Sequence, residues 1–180
     1  MLGIYAPSVL HSAASFEIKL PSVRDFESRI LADTHTYPWL ACEYRDKIIG
    51  YAYATAYRDR VAYQWSCECS VYVDGNFKRR GTGSKLYLAL LAILTYQGFI
   101  NAYAVITYPN PASIKFHIAK GFKFFADYKK VGYKHGTWHD VHWYVKTLNT
   151  YSKRPSRPKA FSKIKEADVV KKILLKHNLD

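Results

Sequence analysis

The stretch that most constrains this chain runs from Cys67 to Tyr108. Cys67 to Val73 has the pattern of a strand, and Ser84 to Gln97 that of a long helix. Ala102 to Tyr108 is a near-continuous apolar run, suited to a buried strand. On the helix, Leu86, Leu90, Ile93 and Leu94 share one face, and Gly98 stands where a helix stops. Strand, helix and strand in one sheet close as a right-handed βαβ crossover, with the two strands parallel. The turn into the helix is Lys78-Arg79-Arg80-Gly81-Thr82-Gly83. Glycines there let backbone N–H groups point outward with the helix dipole behind them, which makes a cradle for phosphate oxygens. The spacing is neither the P-loop nor the dinucleotide-binding fingerprint. Taken alone, the turn suits a plain basic surface loop as well.

Upstream, Phe16, Ile18 and Leu20 alternate with Glu17 and Lys19, which suits a short strand or extended segment. The residues before Ser15 show no clear pattern. Ser22 is a good N-cap with Asp25 three residues on, and Val23, Phe26 and Ile30 give a helical stripe to about Asp33. Strands are expected over Leu40 to Tyr44, Ile48 to Tyr57 and Ala62 to Val73, joined by short charged turns. That order implies an antiparallel meander feeding the crossover, hence a mixed central sheet in an α/β (α+β) fold. Downstream, Asn110-Pro111 opens a second helix that Gly121 ends. Phe122 to Tyr128 and Val141 to Leu148 read as a closing hairpin. The linker Val131 to Asp140 between them is rich in polar and aromatic groups, as functional loops often are.

At 180 residues the chain holds one domain with a full core and little more. Its 49% apolar and 23% charged residues fit a soluble globular protein. No run approaches the ~18 apolar residues that cross a bilayer, so no membrane association is expected. The first twenty residues lack the basic region and apolar core of a signal peptide, which makes the cytoplasm the default. Cys67 and Cys69 share a strand face and Cys42 is isolated, so buried free thiols are expected and no metal site. Net charge is +13. Residues 1–149 carry 18 Lys/Arg against 11 Asp/Glu, or +7, and residues 150–180 carry 9 against 3, or +6. A basic balance favours anionic partners without choosing among them. The division expected is a domain over 1–149 and a basic tail over 150–180. The tail is read as a flexible linker from Thr150, then an amphipathic helix within Ile164 to Leu175 that puts Ile164, Val169, Ile173 and Leu174 on one side.

The order of elements and several motifs resemble the GCN5-related N-acetyltransferase (GNAT) superfamily, and within it the phosphinothricin and methionine sulfoximine acetyltransferase branch. The matching blocks include Tyr37-Pro38-Trp39, Gly50-Tyr51-Ala52-Tyr53, Glu68 to Val73, Gly81-Thr82-Gly83, Gln97-Gly98-Phe99, Pro109-Asn110, Ser113, His117, Gly121-Phe122 and Gly132 to Val141. They cover about residues 4 to 148. Two departures stand out. Lys78 holds a place that the family gives to Gln or Arg. The family's first strand and half of its first helix are missing, the chain joining that helix at about Ile4-Tyr5.

The resemblance implies an enzyme that transfers acetyl from acetyl-CoA to the free amine of a small amino acid or analogue, without a metal. Lys78, Arg79, Arg80, Gly81, Thr82, Gly83 and Ser84 would hold the pyrophosphate. Val71, Tyr72 and Val73 would align the pantetheine and polarise the thioester, with Asn110 and Ser113 also on the cofactor. Glu68 would be the base that deprotonates the incoming amine, and His117 the acid that protonates the departing thiolate. Tyr133, Lys134, His135, Trp138 and His139 would cap the acceptor site, near which a homodimer forms. Lys134 and the Arg58/Arg60 loop would hold the acceptor's carboxylate. Other readings remain open: another amine such as a protein N-terminus, or a non-catalytic protein that binds acetyl-CoA or RNA. Nucleic acid is not the expected partner, because no RNA-binding motif is present.

Overall fold

In the computed structural model, which describes residues 1–179, the patternless opening forms a helix, α1 (Leu2–Leu10). Pro7 lies inside it and has no N–H to give the Gly3 carbonyl. Phe16 to Leu20 form no strand, only a looping connection. Ser22 caps α2 (Val23–Asp33) as expected, its hydroxyl accepting from the Asp25 amide.

The meander follows. β1 (Trp39–Tyr44) and β2 (Lys47–Ala56) pair antiparallel, and β2 pairs with β3 (Ser66–Val73). The third strand is shorter than its pattern suggested. Val61 to Tyr63 wind into a 3-10 turn, and the Trp65 carbonyl is taken by the Ile100 and Asn101 amides. After the glycine turn come α3 (Thr82–Gln97) and β4 (Asn101–Tyr108), then α4 (Pro111–Ala119) capped by the Asn110 side chain. Gly98, at φ 99°, closes α3. Its amide bonds the Thr95 carbonyl while that of Phe99 bonds Leu94, the Schellman pattern, which needs a left-handed residue there.

β5 (Lys123–Lys134) and β6 (Thr137–Thr147) complete a six-stranded mixed sheet in the order β1-β2-β3-β4-β6-β5. The expected loop over Val131 to Asp140 is therefore mostly strand, with His135-Gly136 as a tight turn at φ 51° and 75°. Its polar alternation is that of a hairpin with two irregularities in register, which the pattern hides.

Two layers cover the sheet. On one face α1 and α2 bury Tyr5, Val9 and Phe26 against Trp39, Tyr51, Tyr53 and Tyr72. On the other, α3 packs Leu86, Leu90, Ile93 and Leu94 on Ala52, Ala54, Cys67, Cys69, Ala102 and Ala104. Each such leucine or isoleucine contributes about 1.5–3 kcal/mol by leaving water. β4 is not buried on both faces: Ala102, Ala104 and Ile106 lie under α3, while on the other face Val105 is over a third exposed and Tyr103 and Thr107 are half-buried. All three cysteines are free, Cys67 and Cys69 buried as expected. No described helix is long and apolar enough to cross a membrane.

Residues 150–179 are not a solvated appendage. They end in α5 (Phe161–Ile164) and α6 (Asp168–Lys176), which lie on the body with Ile164 and Val170 buried. The apolar side of α6 is Val170, Ile173 and Leu174, while Val169 faces out. The fastening is polar and long-range. Gln97 is almost wholly buried and its amide donates to the Thr36 and Lys159 carbonyls, at 2.8 and 2.7 Å. The Trp65 indole donates to Ser156 O. Gln97→Leu keeps the volume but strands the Lys159 carbonyl and leaves Thr36 O only the Phe161 amide, so a loss of about 1–3 kcal/mol in urea unfolding is expected. A loss under about 1 kcal/mol would mean that the segment is not docked there in solution.

Candidate active site

The parallel ladder between β3 and β4 is only three pairs long: Ser66 with Asn101, Cys67 with Ala102, and Glu68 with Tyr103. Beyond Glu68 the strands part. The gap opens into a cleft of about 710 Å³ lined on its two sides by Cys69 to Val73 and by Ala104 to Thr107. Strand residues bordering such a gap have no neighbour across it for their backbone groups, so an extended ligand with amides of its own can bond them there.

The turn into α3 stands at one mouth. Asp74 first turns the chain, its carboxylate accepting from the Asn76 amide. Arg79 at φ 62° and Gly81 at φ 86° then bend the backbone left-handed. Gly81 is the N-cap of α3 and offers no side-chain acceptor, whereas α2 and α4 both have one. The first-turn amides of α3 thus point at the cleft mouth without a cap. Gly83 lies close under β3: a Cβ there would sit 3.2 Å from Val73 Cγ2. An oxyanion facing these amides gains from the helix dipole and from Lys78 and Arg79, which line the same mouth.

Of the expected residues, Val71, Tyr72, Val73, Lys78, Arg79, Gly81, Gly83, Ser84, Asn110, Ser113 and His117 are brought together on this cleft. Arg80 and Thr82 are not. The Arg80 guanidinium lies 5.3 Å from the Phe77 ring. Thr82 is buried with its methyl 3.3 Å from where a Cβ of Gly50 would be.

His117 is buried, and its Nδ1–H donates to Ser113 O at 2.8 Å. Its Nε2 has no partner. Burial pushes the imidazole below its ordinary value, so the ring is neutral near pH 7 with a free lone pair on Nε2. The expected proton donor is thus, in the free protein, an acceptor.

Glu68 sits at the last pair before the strands part, on the face away from Cys67 and Cys69. It does not line the cleft. Its carboxylate is 3.3 Å from the Arg58 guanidinium, which in turn lies over Tyr57 at 4.5 Å and near Trp143. Burial pushes the Glu68 carboxyl up, and Arg58 pulls it partly back.

The hairpin residues are elsewhere. Tyr133 and Trp138 form an exposed pair with rings 5.3 Å apart, and His135 is in the turn. Lys134 is buried with its ammonium on two backbone carbonyls, so it does not present a charge to a substrate carboxylate.

The sequence reading missed the far wall. Gly3, Ile4, Pro7 and Ser8 of α1, and Ala14 after it, close the cleft on the face opposite α3. The cleft therefore passes through the sheet. A side cavity of about 410 Å³ shares Ala14, Thr107 and Asn110 with it and adds Ser12, Tyr108 and His139. The available signal was the i, i+4 pair Tyr5 and Val9, both buried.

Comparison with known proteins agrees with this geometry. Residues 2–143 match the profile of the acetyltransferase (GNAT) domain. The chain is 41% identical over 123 residues to a phosphinothricin N-acetyltransferase of Streptomyces viridochromogenes, covering 68% of this chain and 67% of that one. It is 32% identical over 142 residues to an L-methionine sulfoximine/L-methionine sulfone acetyltransferase of Salmonella typhimurium, covering 77% and 81%. The crystal structure of a GNAT superfamily phosphinothricin acetyltransferase from Sinorhizobium meliloti, solved in complex with AcCoA, superposes with a TM-score of 0.81 at 35% identity, covering 86% and 85%. A sheet split after three parallel pairs, an uncapped glycine turn at its mouth and these likenesses have one reading: the chain belongs to the GNAT acetyltransferase family.

Proposed function

We propose that this protein transfers the acetyl group of acetyl-CoA to the free α-amine of a small amino acid analogue of the phosphinothricin or methionine sulfoximine type. The observation that carries the proposal is the parting of β3 and β4 beside the uncapped start of α3. Backbone amides from Arg79 to Ser84, with Lys78, would hold the pyrophosphate, and Asn110 and Ser113 the adjoining chain. The unpaired edge at Val71 to Val73 would take the pantetheine amides and polarise the thioester carbonyl. Acetyl-CoA supplies the activated acyl group.

An ammonium with a pKa of about 10 must lose a proton before it attacks. Glu68, kept ionised by Arg58, is our candidate base, directly or through a water. The Gly3 carbonyl, left without its helical donor by Pro7, would orient the amine from the α1 wall. Arg58 and Arg60 suit an acceptor that bears a carboxylate, which favours an amino acid over a polyamine. His117 would take at Nε2 the second proton, which the attacking nitrogen sheds once it has bonded to the acyl carbon, then deliver it to the departing sulfur. The nearby negative charge offsets the burial penalty on the imidazolium.

A homodimer across the β5 edge is part of the same proposal, because Phe124, Phe125 and Tyr128 are exposed there. The three free thiols fit a reducing compartment, and we place the protein in the cytoplasm.

The test is direct. Acetyl-CoA and a panel of amino acids are incubated with the protein, and thiol release is followed. Release dependent on phosphinothricin or methionine sulfoximine is expected, with an acetylated amine as product. Release with none of the amino acids, but with a peptide bearing a free N-terminus, would move the protein to another acceptor.

A further inference from the structure

The run Gly132 to Asp140 carries a family likeness, yet none of it except His139 borders either cavity. Its packing explains the residues. Lys134 lies on β5 and is buried, with its Nζ donating to Val9 O and to Ser15 O, each at 2.6 Å. Val9 is in the last turn of α1, where carbonyls lack helical donors and a cation is favoured. Ser15 is held a second time, its hydroxyl 2.6 Å from the Tyr5 hydroxyl of α1. One residue on, Phe16 lies against Gly132, where an added Cβ would stand 2.2 Å from its ring. His139 borders Phe16 and bonds back to the Lys134 carbonyl at 3.1 Å. Two independent contacts thus bind α1 and its following loop to the turn end of the hairpin, one a pair of charge-assisted hydrogen bonds and one steric.

We propose that Lys134, seconded by the Phe16–Gly132 contact, is a positioning residue that latches α1 in place as the acceptor-side wall of the cleft. The latched segment includes Gly3, Pro7, Ser8 and Ala14, which form that wall, while the pyrophosphate cradle is on the other face of the sheet. Releasing the latch loosens the wall without moving the cradle. The catalytic part of this inference rests on the acyl-transfer reading above; the latch itself does not.

The test uses the full chain with Lys134→Met, Lys134→Arg and Phe16→Ala. Amide hydrogen exchange is read over residues 2–17 in each. Lys134→Met and Phe16→Ala should speed exchange there by at least about tenfold while residues 86–97 stay protected. Lys134→Arg, which keeps the donors, should recover most of the protection. With acceptor amine, Lys134→Met should raise KM by about tenfold or more, with the calorimetric Kd for acetyl-CoA within about threefold of wild type. Unchanged exchange over residues 2–17 overturns the latch. Faster exchange spread over the whole chain makes Lys134 a general stability residue and also overturns it. Faster local exchange with KM unmoved overturns the positioning role. If wild type acetylates no amine but local exchange still responds, the latch stands and the acyl-transfer reading is what fails.

Discussion

Glutamine in place of Glu68 is expected to lower kcat/KM for the acceptor amine by about 10²–10⁴ at pH 7, the usual worth of a general base. Acetyl-CoA affinity should stay within about twofold, because Glu68 faces away from the cofactor side of the sheet and does not line the cleft. The pH dependence distinguishes this role from a structural ion pair. Burial raises the carboxyl of Glu68 and Arg58 only partly restores it. The acid limb of kcat/KM should therefore lie above the ordinary carboxylate value of 4.5, with activity gained as pH rises through it. At alkaline pH, toward the amine's own value of about 10, a growing share of acceptor arrives deprotonated and the deficit of the glutamine variant should shrink. Arg58→Ala removes the group that favours the charged form, so the acid limb should move further up. A glutamine variant as fast as wild type across the whole range would take Glu68 out of the chemistry. The Arg58 pair would then be its only task.

What the sequence disclosed follows from how local each signal is. Ser22, Asn110 and Gly98 each act within four residues, and all three cap where their patterns placed them. The crossover was legible because a helix of sixteen residues between two strand patterns leaves one handedness. The cleft lining on β3, the glycine turn and α4 followed from the same frame. Long-range bonds left no such trace. Nothing near Gln97 says that its amide will join Thr36 to Lys159, so the segment from Thr150 read as a flexible linker to an amphipathic helix with no docking place. Lys134 looked like a substrate cation because lysines are seldom fully buried. Only the return of α1 onto the hairpin supplies the two carbonyls that make burial tolerable. α1 was hidden from the residue pattern by its interior proline and by apolar residues all around, and only the family resemblance put a helix at Ile4-Tyr5.

The second large effect is expected at the glycine turn, where the two glycines should fail for different reasons. Gly81 has φ 86° and nothing within 4 Å of an added Cβ. Gly81→Ala is then a conformational change alone, costing about 1–2 kcal/mol as a left-handed non-glycine residue. If the turn relaxes to avoid that strain, the first-turn amides of α3 swing off the cleft mouth and acetyl-CoA affinity drops. At Gly83 the constraint is space. Its Cβ position is already 3.2 Å from Val73 Cγ2, and Phe116 closes the other side at 3.9 Å. Valine there must lift the start of α3 from β3, which widens the cradle at the point where the amides converge. Gly83→Val should weaken acetyl-CoA binding by at least about 100-fold in calorimetry, about 2.7 kcal/mol. Lys78→Ala should weaken it far less, because it removes one charge and leaves the backbone donors in place. It should also flatten the dependence of affinity on salt, since an exposed cation acts through screened Coulomb attraction. The ordering of the two tells what grips the diphosphate. Backbone donors predict that valine at 83 is the worse lesion at every ionic strength. A cradle built mainly from cations predicts the reverse at low salt, and Gly83→Val binding near wild-type affinity there would remove the helix start from the site.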